Sequence, residues 1–198
     1  MDKVYIIGKD SVSTKIRLDD GQEFRACFVA LPGSDAELSL EIDINGRDCL
    51  VDIAGLSLCK DAQKVDFNVT VRHNSAGSRS YQNFLSIASG ESRTYFNGLV
   101  YVAPGAAATK AEQLSRSLLL DSRAFVEARP QLEIYADDVE CSHGCTSGYL
   151  DEDELFYLRS RGIPEQQAKK FQMIAFLSPV LGRLEDEELK QKIYDSLP

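Results

Sequence analysis

Short runs rich in β-branched and aromatic residues dominate the chain as far as about residue 134. Several of them alternate apolar and polar residues, which is the period of a β-strand with one buried face. Examples of the runs rich in β-branched and aromatic residues are 4–7, 24–29, 38–44, 65–71 and 99–102. Turn-forming sequences separate the runs, namely Asp20-Gly21, Pro32-Gly33-Ser34, Asn45-Gly46, Asn97-Gly98 and Pro104-Gly105. This pattern is compatible with a β-sandwich, a β-barrel or a β-solenoid, and the spacing does not choose among them.

The pair Asn45-Gly46 carries the strongest local pairing signal. It lies between the strand-like stretches 41–44 and 48–51. Asn-Gly is the preferred two-residue connection of a β-hairpin. The local sequence therefore favours an antiparallel pair here. No strict residue-level repeat runs through the chain, although a solenoid requires only structural repetition.

The last quarter of the chain has the pattern of helices. Asp151 followed by Glu154 is typical of a capping box, and Gly162 predicts the end of this first helix. Pro164 suits the start of a second helix, and Pro179 is expected to kink or end it. We therefore predict a β-domain over residues 1–146 and a helical domain over residues 147–198.

The apolar positions of the tail predict which helix faces are buried. In the second helix we expect one apolar stripe made of Ala168, Phe171, Ala175 and Ser178, with Ile174 and Leu177 beside it. A third helix, over about residues 185–195, is expected to bury Leu189 and Ile193.

Charge and composition exclude several classes of protein. The net charge of −9 argues against nucleic-acid binding, which needs Lys and Arg to neutralise phosphate. No apolar run approaches the roughly 18 residues of a membrane span, and the first residues lack the pattern of a signal peptide. We expect a cytoplasmic protein that binds neither membranes nor nucleic acid. No phosphate-binding loop is present, so nucleotide hydrolysis by the chain alone is not expected.

The five cysteines do not suggest a disulfide framework, because their number is odd and the sequence resembles a cytosolic one. Cys27, Cys49 and Cys59 lie in strand-like runs and are expected to be small buried side chains. The other two belong to the stretch Cys141-Ser142-His143-Gly144-Cys145.

Cys141, His143 and Cys145 form the strongest candidate site. In an extended segment alternate side chains share a face, so two thiols and an imidazole point the same way. Such ligands suit iron, zinc or copper. Three readings stay open: a turn with a buried cysteine and a solvated histidine, a metal site, or a nucleophilic cysteine. A closed zinc site needs a fourth ligand, and no second Cys/His pair is present.

The other histidine, His73, begins the stretch 73–82, which is rich in small polar residues. This composition predicts a polar turn between two strands. Gly98 and Gly105 are interpreted as loop glycines.

Several short stretches occur in a fixed order along the chain: His73 with Ser80 and Gln82, then 96–98, 109–113, 118–120, 130–134, 136–144 and 155–162. This ordered set resembles the SufB/SufD family of iron–sulfur cluster assembly proteins. Each stretch alone is weak, but the order is specific. The sequences of residues 141–144 and 157–162 resemble SufD-type chains more than SufB-type chains.

The resemblance implies a right-handed parallel β-helix followed by a small helical domain, which would disfavour the hairpin at Asn45-Gly46. It also implies a non-catalytic scaffold subunit of a SufBCD-type complex, paired with a SufB-like subunit through the β-helices. His143, and with it Cys141, would lie at that interface, where iron or an iron–sulfur cluster is held transiently. No cofactor is expected to bind tightly to the isolated chain. Without its partner subunit the chain could form a homodimer.

The resemblance further implies that a SufC-type ATPase docks on the helical tail. The residues expected to contribute are Leu155, Phe156, Tyr157, Phe171 and Phe176. Family members are usually about twice this length, so we expect the chain to be a C-terminal part. Cys145 stands where a small residue such as alanine is expected.

Two rival functions remain. The first is a stand-alone metal-binding protein or metalloenzyme that uses Cys141, His143 and Cys145. The second is a carbohydrate-binding β-solenoid, which the absence of Trp and of a regular tyrosine ladder disfavours.

Overall fold

The protein is a parallel β-helix followed by three helices. The computed structural model describes residues 2–10 and 14–198. The strands are β1 (Lys3–Ile6), β2 (Lys15–Leu18), β3 (Glu23–Ala30), β4 (Ala36–Ile44), β5 (Leu50–Cys59), β6 (Lys64–His73), β7 (Arg79–Ala88), β8 (Arg93–Val102), β9 (Lys110–Leu119), β10 (Phe125–Ile134) and β11 (Glu140–Gly148). The helices are α1 (Glu152–Ser160), α2 (Glu165–Leu181) and α3 (Glu187–Ser196).

The strands alternate between two parallel sheets. The odd sheet has the order β1-β3-β5-β7-β9-β11, and the even sheet has the order β10-β8-β6-β4-β2. All strand pairs are parallel. Each strand therefore pairs with the one a full turn of the coil away. We call residues that are in register on successive strands of one sheet a column, such as Leu50, Arg79, Lys110 and Glu140. This arrangement confirms the solenoid.

The hairpin expected at Asn45-Gly46 is wrong. β4 and β5, which flank this pair, belong to different sheets. The amide N–H groups of both residues donate to Leu18 O, in the preceding turn of the coil. A Cβ at Gly46 would collide with the backbone of Asp19 and Asp20. The glycine is needed because two turns of the coil approach closely here, and the local sequence does not distinguish this from a hairpin.

The space between the sheets is filled by apolar side chains in the first turns. Phe28, Ile42, Ile53 and Phe67 are fully buried there. The three buried cysteines are confirmed: Cys49 and Cys59 belong to this cluster, and Cys27 lies on the outer face of the odd sheet. The alternation of apolar and polar residues therefore reports an interior face, as expected for strands.

The helices pack against the outer face of the odd sheet. Met173, Leu177 and Val180 of α2 share one buried cluster with Leu56 and Leu85 of the sheet. Leu189 and Ile193 of α3 are buried in the same cluster, as predicted. The β-helix and the tail therefore share a core. The predicted boundary after residue 146 lies near the end of β11 and stays a prediction.

Arg183 fastens the end of the tail to the sheet. Its Nε donates to Asp2 Oδ2 over 2.7 Å, and its Nη1 donates to Asp52 Oδ1 over 2.7 Å. A third donor, Nη2, reaches the backbone oxygen of Asp52 over 2.9 Å. One half-buried guanidinium thus joins the residue before β1, the strand β5 and the chain just after α2.

The helix ends follow the sequence signals. Asp151 caps α1 by accepting the Glu154 N–H, and Gly162, with a φ of +85°, follows its end. Pro164 precedes α2, which continues two residues past Pro179 to Leu181. Pro179 lacks the N–H that would bond Ala175 O, and Ser178 Oγ donates to that oxygen instead, over 2.8 Å.

The buried stripe predicted for α2 is largely wrong. Ala168 and the neighbouring Leu177 are buried and Ile174 is half-buried, but Phe171, Ala175 and Ser178 are exposed. The buried set is Ala168, Met173, Leu177, Val180 and Leu181. The apolar residues of this helix surround much of its circumference, so the sequence did not fix which side would meet the sheet.

Candidate functional site

The candidate site lies on β11, the last strand of the odd sheet. Cys141, His143 and Cys145 are in register with Ala111, Gln113 and Ser115 of β9, which are buried and face the interior. Because in-register residues of a sheet face the same side, the three candidate side chains also point to the interior side. The prediction that they share a face is supported by this register.

His143 is nevertheless exposed, because β11 belongs to the last turn of the coil. Within residues 2–10 and 14–198, β11 pairs with β9 alone and β10 pairs with β8 alone. No residue of β10 or β11 is buried, whereas each strand from β2 to β9 has buried residues. The interior of the β-helix is thus open at this end, and His143 and Cys145 are exposed at the opening.

Cys141 lies deeper than the other two. It is half-buried and, like Leu132 and Val139, packs against a buried apolar cluster that includes Val100 and Ala111. Burial raises the pKa of the Cys141 thiol, and a backbone hydrogen bond from Ala111 works in the opposite direction. A raised pKa favours the neutral thiol over the thiolate that binds metals or attacks carbon. Cys141 alone is therefore a poor nucleophile in this environment.

A hollow of about 310 Å³ adjoins Cys141. Its lining includes Tyr81, Lys110 and Glu140, and the Lys110 ammonium bonds both carboxylate oxygens of Glu140 over 2.9 Å. A larger hollow of about 460 Å³ lies beside α2, lined among others by Asp121, Lys169 and Met173. The second hollow contains none of the predicted site residues.

The three candidate ligands do not form a complete metal site. In the part of the chain that the structure describes, no group of three or more His, Cys, Asp or Glu side chains is placed to hold a metal ion. Alternate residues of a strand lie roughly 6.6 Å apart along the backbone, which spreads the three side chains over the mouth of the coil. The three-ligand set stays a prediction, and a metal ion there would need ligands from elsewhere.

His73 is not part of a polar turn. It ends β6 and is fully buried, and the turn covers residues 74–78. Its Nε2 shares a hydrogen bond of 2.9 Å with Ser80 Oγ, while Nδ1 has no partner in the described chain. Burial lowers the pKa of His73 to about 4, so the ring is neutral at pH 7. His73 is a structural residue of the interior.

Three interior residues near His143 were not proposed as site residues from the sequence. Gln82 and Gln113 lie in the same column as His143, and Gly98 faces them from β8. The interpretation of Asn97-Gly98 as a turn is wrong, because Gly98 lies within β8 and leaves room for the Gln113 amide. The sequence did contain a signal for Gln82 and Gln113, because a glutamine at an inward-facing strand position is unusual and indicates a polar interior.

The residues predicted for ATPase docking fall into two groups. Phe156 and Tyr157 of α1 are 72% and 59% exposed, and Phe171 of α2 is 44% exposed. Leu155 is buried, and Phe176 is half-buried beneath the Arg116 guanidinium. The first three form an exposed aromatic group on the helical tail, which we call the tail aromatics.

Comparison with known proteins identifies the family. Residues 10–176 match the family described as "SUF system FeS cluster assembly, SufBD core domain". No helix within the described residues is both long and apolar enough to cross a membrane.

Individual relatives agree with this match. The chain is 37% identical over 175 residues to the iron–sulfur cluster assembly protein SufD of Escherichia coli, covering 88% of this chain and 41% of that protein. It is 32% identical over 181 residues to a chloroplastic protein of Arabidopsis thaliana, covering 90% of this chain and 38% of the relative. For SufD of Bacillus subtilis the identity is 34% over 131 residues, or 66% of this chain and 30% of that protein.

The chain thus spans less than half the length of these relatives. The matched region includes strands β2 to β11, and so the strand that carries His143, together with α1 and most of α2. The chain therefore belongs to the SufBD core domain family of the SUF iron–sulfur cluster assembly system, and it is similar to SufD proteins.

Proposed function

We propose that the chain is a non-catalytic scaffold subunit in iron–sulfur cluster assembly, and that it works in a SufBCD-type complex. The observation that carries the proposal is the position of His143. This imidazole is exposed on the terminal strand, at the open end of the β-helix. Iron or a nascent cluster is the cargo, and a second subunit would supply the ligands that this chain lacks.

The open end has the features of a docking surface. β10 and β11 each leave one strand edge unpaired in the described structure, and such edges are normally covered or paired. Phe125, Ile134 and Tyr135 are exposed on or next to β10, with Tyr135 60% exposed. We propose that a SufB-like subunit covers these edges, so that His143 lies at the junction. In its absence, two copies of the chain would pair there.

The test is cluster formation in the complex reconstituted with the SufB-like and SufC-type subunits. His143→Ala is expected to abolish cluster assembly while the complex still forms, because the ligand or proton acceptor at the junction is lost. Visible absorbance and circular dichroism of the cluster provide the measurement. Ser142→Ala is the matched control, since Ser142 lies on the same strand with its side chain on the opposite face. Unchanged assembly in His143→Ala would remove the proposed role.

The tail aromatics are the proposed contact for the SufC-type ATPase. Large exposed aromatic side chains are typical anchors of protein interfaces. Replacing Phe156 and Tyr157 by Ser is expected to weaken capture of the ATPase in a pull-down. The exposed Ala175→Ser substitution is the control. Full capture by the double variant would place ATPase docking elsewhere.

The proposed cellular location of the protein is the cytoplasm, although one relative is described as chloroplastic.

The stand-alone metalloprotein makes a different prediction. It requires stoichiometric metal in the purified single chain, whereas a shared site predicts metal well below one equivalent. Metal analysis of the isolated protein separates the two functions.

A further inference from the structure

The column that ends at His143 changes its chemistry along the coil. Ala26 and Ile53 occupy it in β3 and β5, and Gln82, Gln113 and His143 occupy it in β7, β9 and β11. Both glutamines are buried, with Gln113 at 0% exposure. Gln113 Nε2 donates to Gln82 Oε1 over 3.0 Å. Two buried amides thus lie in register directly beneath the exposed imidazole.

The amide of Gln113 has an acceptor to spare. Its Oε1 is buried and has no hydrogen-bond partner among the described residues. A buried carbonyl oxygen without a hydrogen-bond donor is destabilising, because it has lost its hydration without a replacement. The nitrogen of the same amide is committed to Gln82 on the β7 side. The oxygen is therefore the end available to β11, whose residue in this column is His143.

The Gln113 amide lies against the backbone of Gly98 in the facing sheet. A Cβ at Gly98 would lie 2.5 to 2.6 Å from the nitrogen, carbon and oxygen of the Gln113 amide. The amide therefore rests on bare backbone of β8 and is bonded to Gln82 on one side. With its position fixed in this way, it has little freedom to turn its oxygen elsewhere.

We propose that Gln113 is the positioning residue for His143, accepting an N–H from one ring nitrogen so that the lone pair of the other nitrogen faces the open end of the β-helix. Metal-binding histidines commonly donate their second ring N–H to a carbonyl or carboxylate, which fixes the tautomer and the ring orientation. Adjacent strands lie roughly 4.8 Å apart, a spacing over which a glutamine side chain can reach an imidazole. The inference rests on the proposed function, because it assigns how His143 is presented to the cargo.

Nuclear magnetic resonance of the ring nitrogens tests the hydrogen bond directly. The chain has two histidines, so His143→Asn identifies the His143 signals. At pH 8 we expect one dominant tautomer for His143 and proton contacts between its ring and the Gln113 side-chain amide. Gln113→Met is expected to give the tautomer mixture of a solvated imidazole. Gln113→Glu keeps an acceptor oxygen and is expected to restore one tautomer.

Cluster assembly provides the second measurement. Loss of a partner of this kind typically lowers metal affinity or activity 10- to 100-fold, so we expect a decrease of about that size in the assembly rate of Gln113→Met. Ser115→Ala is the matched control, because it changes the same face of β9 beneath Cys145. If Gln113→Met does not fold, Gln113→Asn is used, since its shorter amide does not reach β11.

The outcomes separate this inference from the proposed function. A wild-type tautomer ratio in the folded Met or Asn variant would overturn the positioning role, even if His143→Ala abolishes assembly. A changed ratio together with normal assembly by His143→Ala would instead retain the hydrogen bond and overturn the function. A changed ratio with slower assembly supports both.

Discussion

The N-terminal and C-terminal parts of the β-helix interior differ in what their side chains do. From β3 to β6 the space between the sheets is apolar and closed, with Phe28, Ile42 and Phe67 fully buried. In the last turns the inward positions carry Gln113, His143 and other polar side chains, and the space opens to solvent. One backbone architecture therefore provides stability at one end and chemical groups at the other. A rigid support beneath a polar opening suits a site that must keep its geometry.

The largest expected effect on stability comes from a substitution in the closed, apolar part of the interior. Phe67 is fully buried, and its ring lies 5.2 Å from that of Phe84. Phe67→Ala should lower the free energy of unfolding by about 3–5 kcal/mol, because a large cavity remains. Phe125→Ala removes an aromatic ring that is 41% exposed at the open end and should cost less than about 1 kcal/mol. Urea denaturation of both variants gives the measurement, and equal costs would contradict the comparison.

The next effect depends on pH and concerns His73. Its folded-state pKa of about 4 lies below the ordinary value of 6.5. Stability from the neutral ring is therefore complete above pH 6.5 and is lost as the pH falls towards 4, since the unfolded chain takes up the proton first. The loss amounts to about 3 kcal/mol at 1.36 kcal/mol per pKa unit.

His73→Gln removes this titration while keeping a side chain able to bond Ser80. We expect its free energy of unfolding to fall less than that of the wild type between pH 6.5 and 4.5, with the two proteins within about 1 kcal/mol of each other at pH 7.5. Chemical denaturation at these three pH values is the measurement. Parallel pH profiles would show that the burial of His73 does not contribute.

The smallest expected changes in stability are those of Gly→Ala substitutions at two glycines. Gly46→Ala would press a methyl group against the backbone of Asp19 and Asp20, which has little room to move, and should cost about 2 kcal/mol. Gly144→Ala at the open end meets one methyl group of Leu114 at 3.2 Å and should cost less than about 1 kcal/mol. Thermal unfolding of the two variants sharpens the comparison, and a larger cost at Gly144 would reverse it.

Local signals predicted the elements well. Alternation marked the runs within β4 and β6, because burial of one face imposes it on the sequence directly. The cap formed by Asp151 and the stop at Gly162 were also readable, since a few consecutive residues determine them. The parallel pairing was not readable from spacing, because each strand pairs with one a full turn away. The family resemblance supplied it.

The candidate site was predicted only in part, because local spacing is readable from the sequence and contacts between distant strands are not. The i, i+2, i+4 spacing of Cys141, His143 and Cys145 was sufficient to place them on one face. The approach of Gln113 to Gly98 joins residues on different sheets, and no local pattern encodes it. In the sequence, Gly98, which makes room for the Gln113 amide, cannot be distinguished from a glycine in a turn.

The guanidinium of Arg183 has a mechanical consequence. It ties the chain just after α2 to Asp2, which precedes β1, and to Asp52 of β5, in the half of the odd sheet away from β11. Because α2 also packs on Leu56 and Leu85, a force applied to the helices is transmitted to several strands of the odd sheet at once. The expected response is a rotation of the β-helix as a rigid body, which displaces His143 at its open end.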